Sequence, residues 1–380
     1  GSRIKNAQPC LIEYAGGTMA MGHNGNLVNA SEIRKELGAE GAIFQSTNDS
    51  EVIVHLMAQS RRNSFVDRSV AALSQVKGAY SIVLMSENEL IAARDPHGFR
   101  PLCLGKLDGA YIVASESCVM DLVEAEFIRE IEPGELILIN QFGVKSFHPF
   151  QKTSPKQCVF EHIYFSRPDS YLFGHSVYSV RKLMGKALAI EKPVEADVVV
   201  PVPDSGVISA MGYSEEAEIP FQMGLIRNHY VGRTFIEPQS QIRNFGVKIK
   251  LNAVKPIIKG KRVIIIDDSI VRGTTSKKIV RMLREVGARE VHVRISSPPT
   301  THSCFYGIDT PTKGELIASN MDIDQTREYL GADSLHYISL EKMLEIFGEQ
   351  KDDFCAACFD GRYPVDVAGS DGSSKQLGLF

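Results

Sequence analysis

The sequence has no apolar run approaching the length of a membrane span, and its N-terminus lacks the apolar core of a signal peptide. A basic excess is missing too. Lys and Arg number 42 against 46 Asp and Glu, a net charge near −4, so nothing marks a nucleic-acid partner. Cysteine is sparse, seven in 380 residues, which excludes a disulfide scaffold and makes each Cys a separate question. These absences make the cytoplasm the expected compartment, with no membrane. The Walker NTPase signature Gly-x-x-x-x-Gly-Lys-Ser/Thr is also lacking, because the Gly-Lys pairs at 105, 185 and 260 are followed by Leu, Ala and Arg. What remains is an ordinary globular composition, 43% apolar and 23% charged, in a chain long enough for two domains or more.

The most informative stretch runs from Arg262 to Ser276. Val263 to Ile266 form a short branched apolar run, the pattern of a strand buried on both faces. Asp267 and Asp268 stand where that strand should end. Arg272-Gly273-Thr274-Thr275 follow, and Ser276 opens a helical pattern reaching about Val286. This order places polar groups at the carboxyl edge of a parallel sheet, where open α/β folds bind ligands. Gly273 permits a tight turn, so the amides of residues 273 to 276 can converge on an anion at the helix N-terminus. The two carboxylates can hold ribose hydroxyls or a hydrated Mg²⁺. The stretch resembles the phosphoribosyl pyrophosphate (PRPP) loop of type I phosphoribosyltransferases.

Ahead of it, residues 1 to about 150 read as an α+β domain rich in antiparallel strands. A strand is predicted at Pro9–Tyr14, a helix capped by Ser31, a second helix over Asp49–Ser60, and strands over 79–85, 90–93, 110–115 and 135–140. Gln151–Lys156 reads as a polar linker. From Val194 strands alternate with helices: strands at 196–200, 221–225, 263–266 and 290–295, with a helix from about Gly206. That is the signature of βαβ units on a parallel sheet. A further helix follows residue 340.

Pro201-Val-Pro-Asp-Ser-Gly206 follows a predicted strand and offers Asp204, the Ser205 hydroxyl and the bare Gly206 amide at the same sheet edge. Paired with the acidic loop, it is the expected pyrophosphate loop. Tyr230–Pro238, carrying Arg233, suits a mobile lid. Cys355-Ala-Ala-Cys358 is a candidate metal or redox motif, for which Cys158 and Cys304 could supply two further ligands. Four thiolates suit zinc or an iron–sulfur cluster equally. Cys103 and Cys118 lie in strand-like contexts and read as ordinary buried thiols.

Further blocks extend the likeness over nearly the whole chain: His23–Asn29, Ser46–Glu51, Asp95–Leu102, Tyr164–Ser170 and Cys304–Asp309. Together they resemble the glutamine PRPP amidotransferase family, which performs the first committed step of purine synthesis. The resemblance implies an N-terminal-nucleophile (Ntn) glutaminase domain over 1–150. It also implies a type I phosphoribosyltransferase domain with a C-terminal iron–sulfur segment over 151–368, and a polar tail over 369–380. It implies an oxyanion hole at Asn24 and Gly25, and a carboxylate at Asp49 for the α-amino group of glutamine. Mg²⁺ would bind Ser205, Asp267 and Asp268. PRPP would be held by these with Asp204, Gly206, Arg233, Arg272, Gly273, Thr274 and Thr275. A 4Fe–4S cluster would sit on Cys158, Cys304, Cys355 and Cys358. Purine nucleotides are the implied feedback inhibitors, and a homodimer or homotetramer the implied assembly.

One departure stands beside these matches. The family's opening Cys-Gly-Val/Ile-Phe-Gly segment, whose Cys is the nucleophile, does not appear. The glutaminase domain is therefore expected to be incomplete, and ammonia rather than glutamine to be the nitrogen donor. Cys10 is no substitute, since an N-terminal nucleophile uses its own free amine as base. The competing expectation is a PRPP- or nucleotide-sensing regulator that has the phosphoribosyltransferase fold without transfer activity.

Overall fold

The computed structural model describes residues 4–14, 17–228 and 251–367. The predicted lid with Arg233, and the tail over 369–380, lie outside the described residues.

The first domain opens with β1 (Cys10–Tyr14) and β2 (Gly17–Leu27). The helices α1 (Ala30–Ala39), α2 (Glu51–Gln59) and α3 (Phe65–Leu73) follow. After these come β3 (Gly78–Met85), β4 (Leu90–Arg94), β5 (Cys103–Leu107), β6 (Ala110–Ala114), β7 (Glu126–Glu130), β8 (Leu136–Asn140) and β9 (Gly143–Phe147). β1-β2-β3-β4-β8-β9 form one antiparallel sheet, and β6-β5-β7 a second. Burial alternates along β2, so Met19, Met21 and Leu27 join Ile82, Leu84 and Ile91 under the helices. The opposite face contributes Ala92 and Ile137 to a smaller core shared with Leu104 of the second sheet.

Two local expectations are corrected. The cap of α1 is Asn29, and Ser31 lies inside the helix. Cys118 begins a short helix, Cys118–Leu122, rather than a strand, while Cys103 is in β5 as expected.

The second domain holds α4 (Val177–Glu191), β10 (Val198–Pro201), α5 (Val207–Ala217), β11 (Arg262–Asp267), α6 (Thr274–Val286), β12 (Glu290–Ile295), α7 (Ile323–Leu330) and β13 (Ser334–Tyr337). The four strands form a parallel sheet in chain order. β11 is buried on both faces. Ile264 and Ile266 pack with Met184, Leu188 and Tyr213 on one side, and Val263 and Ile265 with Ile279 and Leu283 on the other. The strand expected at 221–225 differs. Phe221 makes a single bridge to Val199, and Leu225–Arg227 pairs instead with Leu251–Ala253.

Residues 151–156 run in irregular backbone between the domains, and they are tied down. Thr153 Oγ1 donates to the Pro96 carbonyl at 2.7 Å and the Lys156 amide to the His97 carbonyl at 2.8 Å.

Candidate active site and thiol cluster

β11 carries the acid pair to the end of the sheet. Asp267 is its last residue, and both Asp267 and Asp268 are buried. The loop after β10 lies against that end: the Val202 amide donates to the Ile266 carbonyl at 2.8 Å, and Ser205 Oγ to Asp267 Oδ1 at 3.4 Å. A Cβ on residue 206 would lie 2.2 Å from the Ile266 carbonyl oxygen, so only glycine allows the loop this approach. The Pro203–Asp204 peptide is cis, and Asp204 is paired with Arg227.

Asp268 donates its amide to Asp267 Oδ1 at 3.0 Å, and Ser269 Oγ donates to Asp268 Oδ2 at 2.6 Å. Burial, and then the charge of Asp268, push the Asp267 carboxyl well above the usual carboxylate range. Two crowded carboxylates with a hydroxyl beside them form an all-oxygen donor set that fits Mg²⁺. Among the described residues no three acids, His or Cys close around one ion.

The other wall is the turn into α6. Gly273 sits at φ +71°, and no side chain caps the helix, so its first amides are left for a ligand. Thr274 and Thr275 are exposed there, and Arg272 is drawn to Glu315 at 3.1 Å. An open groove of about 640 Å³ includes Arg262 and so lies at the opposite end of β11 from this chemistry. Sequence reasoning missed Arg181. It is buried, close enough to Asp268 to feel its charge, and donates to the His162 and Ser166 carbonyls at 2.8 and 2.7 Å.

In the first domain Asn24 and Gly25 lie on β2, opposite Ser81 and Tyr80 of β3. Gly25 has φ +150°, and a Cβ there would meet the Ala79 carbonyl oxygen at 2.1 Å. Asp49 is fixed beside them: its Oδ2 accepts the Leu27 amide at 2.8 Å and stands 3.8 Å from His23 Nδ1. Cys10 begins β1, paired with Met21, and burial together with the charge of Glu51 pushes its thiol up. A raised thiol makes Cys10 a poorer nucleophile.

The four motif cysteines line one enclosed cavity between the domains. Cys158 and Cys355 are paired across a short parallel ladder. Burial raises all four thiols, Cys158 to about 12, and Cys158, Cys355 and Cys358 each feel the charge of at least one other of the four. The Tyr306 amide donates to Cys304 Sγ at 3.3 Å. Convergence of four thiols in an apolar cavity fits a metal centre. A single zinc would draw tetrahedral thiolates to about 3.8 Å from one another, given Zn–S bonds of about 2.3 Å. An iron–sulfur cluster would be held by the same four thiolates set farther apart. The first domain walls this cavity through Phe99, which stacks on Tyr306 at 4.2 Å between ring centroids. The segment that carries Cys304 also touches β2. Asn26 Nδ2 donates to the Phe305 carbonyl at 2.9 Å, and a Cβ on Gly307 would lie 2.8 Å from Gly25 Cα.

Comparison with known proteins agrees with this architecture. Residues 2–121 match the glutamine amidotransferase domain, and residues 175–296 the phosphoribosyl transferase domain. A chloroplastic amidophosphoribosyltransferase 2 of Arabidopsis thaliana is 52% identical over 365 residues, covering 96% of this chain and 65% of the plant protein. The chain thus spans slightly under two thirds of that relative's length. The amidophosphoribosyltransferase of Bacillus subtilis is 50% identical over 372 residues, covering 97% of this chain and 78% of that protein. The solved structure of glutamine PRPP amidotransferase from B. subtilis, complexed with ADP and GMP, superposes with a TM-score of 0.92 at 48% identity, covering 97% of this chain and 82% of that one. An Ntn glutaminase domain joined to a phosphoribosyltransferase domain, with identity this high along almost the entire sequence, places the chain in the amidophosphoribosyltransferase family.

Proposed function

We propose that this chain transfers ammonia, taken from glutamine or supplied free, to C1 of PRPP. The products are 5-phosphoribosylamine and pyrophosphate, the first committed step of purine synthesis. The observation that carries this reading is the convergence at one sheet edge of Asp267 and Asp268, the Ser205–Gly206 loop and the uncapped start of α6.

The uncapped amides and the hydroxyls of Thr274 and Thr275 would hold a phosphate. Asp267 and Asp268 would orient the ribose, and Asp204, Ser205 and Gly206 the pyrophosphate. C1 passes through an oxocarbenium-like state, so positioning and charge neutralisation dominate. Mg²⁺ on Ser205, Asp267 and Asp268 would supply positive charge to the leaving group. In the other half-reaction Asn24 and the Gly25 amide would face the developing oxyanion, with Asp49 binding the glutamine α-amino group.

A 4Fe–4S cluster on Cys158, Cys304, Cys355 and Cys358 would be structural, fastening the C-terminal segment to the domain junction. Purine nucleotides are the proposed feedback inhibitors, by analogy with the ADP- and GMP-bound neighbour. A homodimer or homotetramer in the cytoplasm completes the proposal.

The test is pyrophosphate release from PRPP with ammonia at high pH, where more of it is unprotonated. Release that requires both Mg²⁺ and ammonia is the expected result. PRPP binding without release would overturn the transfer activity and identify a sensing regulator.

A further inference from the structure

Thr300 lines the thiol cavity, is 1% exposed, and its hydroxyl has no hydrogen-bond partner among the described residues. Leaving a buried hydroxyl unpaired costs about 1–3 kcal/mol relative to a satisfied one. The cavity's two tyrosine hydroxyls are committed as donors. Tyr306 donates to the Val365 carbonyl and Tyr363 to the Ser303 carbonyl, both at 2.7 Å, and Thr310 accepts the Cys304 amide at 2.6 Å. The backbone sets Thr300 beside a cluster ligand, because the next two amides, of Thr301 and His302, both donate to the Cys358 carbonyl at 3.0 Å. Thr301 Oγ1 adds a bond to the Phe359 carbonyl at 2.7 Å, so the strip from 300 to 302 runs along 358–359.

We propose that the Thr300 hydroxyl donates a hydrogen bond to a sulfur of an iron–sulfur cluster held by Cys158, Cys304, Cys355 and Cys358, and thereby raises the cluster's reduction potential. This rests on the cluster reading given above. Hydrogen bonds to cluster sulfurs stabilise the more negative, reduced state and move the potential upward. Valine has nearly the shape of threonine but no hydroxyl, so Thr300→Val removes the donor and keeps the packing.

The experiment compares anaerobically purified wild type, Thr300→Val, Thr300→Ala and Thr300→Ser. Iron and labile sulfide are counted first, then the midpoint potential, then the shift of the iron–sulfur stretching bands on transfer to deuterium oxide. Wild type and Thr300→Ser should share one potential and one deuterium shift. Thr300→Val should keep full iron and sulfide, move to a more negative potential and lose the part of the deuterium shift that comes from the hydroxyl, the amide donors such as that of Tyr306 keeping the rest. Thr300→Ala serves as the donor-free variant if the valine protein does not fold. A fully loaded donor-free variant with wild-type potential and deuterium shift overturns the proposal. Zinc in place of iron in the wild type would instead overturn the cluster reading itself.

Discussion

Arg100 and Glu161 meet at 3.0 Å across the domain junction with neither side chain reached by solvent, and the guanidinium lies over the Phe165 ring at 4.6 Å. The pair is in contact but not aligned for a hydrogen bond, so its attraction is electrostatic. Burial raises the Glu161 carboxyl, and Arg100 opposes that shift. Arg100→Met would strand a buried carboxylate and should cost about 3–5 kcal/mol. Adding Glu161→Gln should recover much of that loss in urea melts, a non-additivity that two independent sites would not show.

Asp95 gives a pH signature. Burial lifts its carboxyl to about 6, against the opposing pull of Arg94 and the backbone amides. A folded-state pKa above the unfolded one means that the native state keeps the proton. The contribution is therefore full below about pH 4 and lost as pH rises through 6, roughly 2–3 kcal/mol in all. Asp95→Asn should flatten the stability profile between pH 4 and 6.5.

Of the site residues, Asp267, Asp268 and Gly273 were legible because they follow one another along a strand and its loop. Arg181 was not, because the chain separates it from the acids and only the packing of α4 brings it near Asp268.

α4 and α5 cross at glycines. A Cβ on Gly185 would lie 1.9 Å from the Ser209 carbonyl oxygen, and one on Gly212 2.0 Å from that of Lys182. Backbone against backbone leaves nothing flexible to yield. Gly212→Ala should therefore destabilise the protein by about 1–3 kcal/mol or more, lowering its melting temperature by several degrees. An unchanged melting curve would show that the helices separate freely.

Elements were legible where periodicity was strong. β11 announced itself as a continuous branched apolar run, because both faces are covered, and β12 as an alternation of Val and Ile with polar residues. β9, mostly unburied, carries no such alternation, and β13 has four residues, too few to show a period. α3 was passed over, although Ser64 caps it by accepting the Asp67 amide at 3.0 Å. The glycine crossing of α4 and α5 was hidden for another reason: close approach is a property of two segments, and neither shows it alone.

The two domains meet through the segment that carries Cys304, with Asn26 bonded to Phe305 and Phe99 stacked on Tyr306. Removing the iron of the proposed cluster with a chelator should therefore loosen both the Phe354–Asp360 segment and the first-domain strip around Phe99. Faster amide hydrogen exchange in both regions is the expected result, and a change confined to 354–360 would contradict the shared wall. The joining of two domains was legible from the blocks of sequence that carry each. Their contact was not, because it links residues such as Asn26 and Phe305, far apart in the chain.

Asp267→Asn and Asp268→Asn test the proposed PRPP site at the end of β11 most directly. Each should leave the melting temperature within a few degrees of wild type, or raise it, since removing one of two crowded carboxylates relieves repulsion. Ammonia-dependent pyrophosphate release from PRPP, measured per folded molecule, should fall by at least about 100-fold. Normal turnover in either variant, or a large loss of stability without loss of turnover, would contradict the assignment.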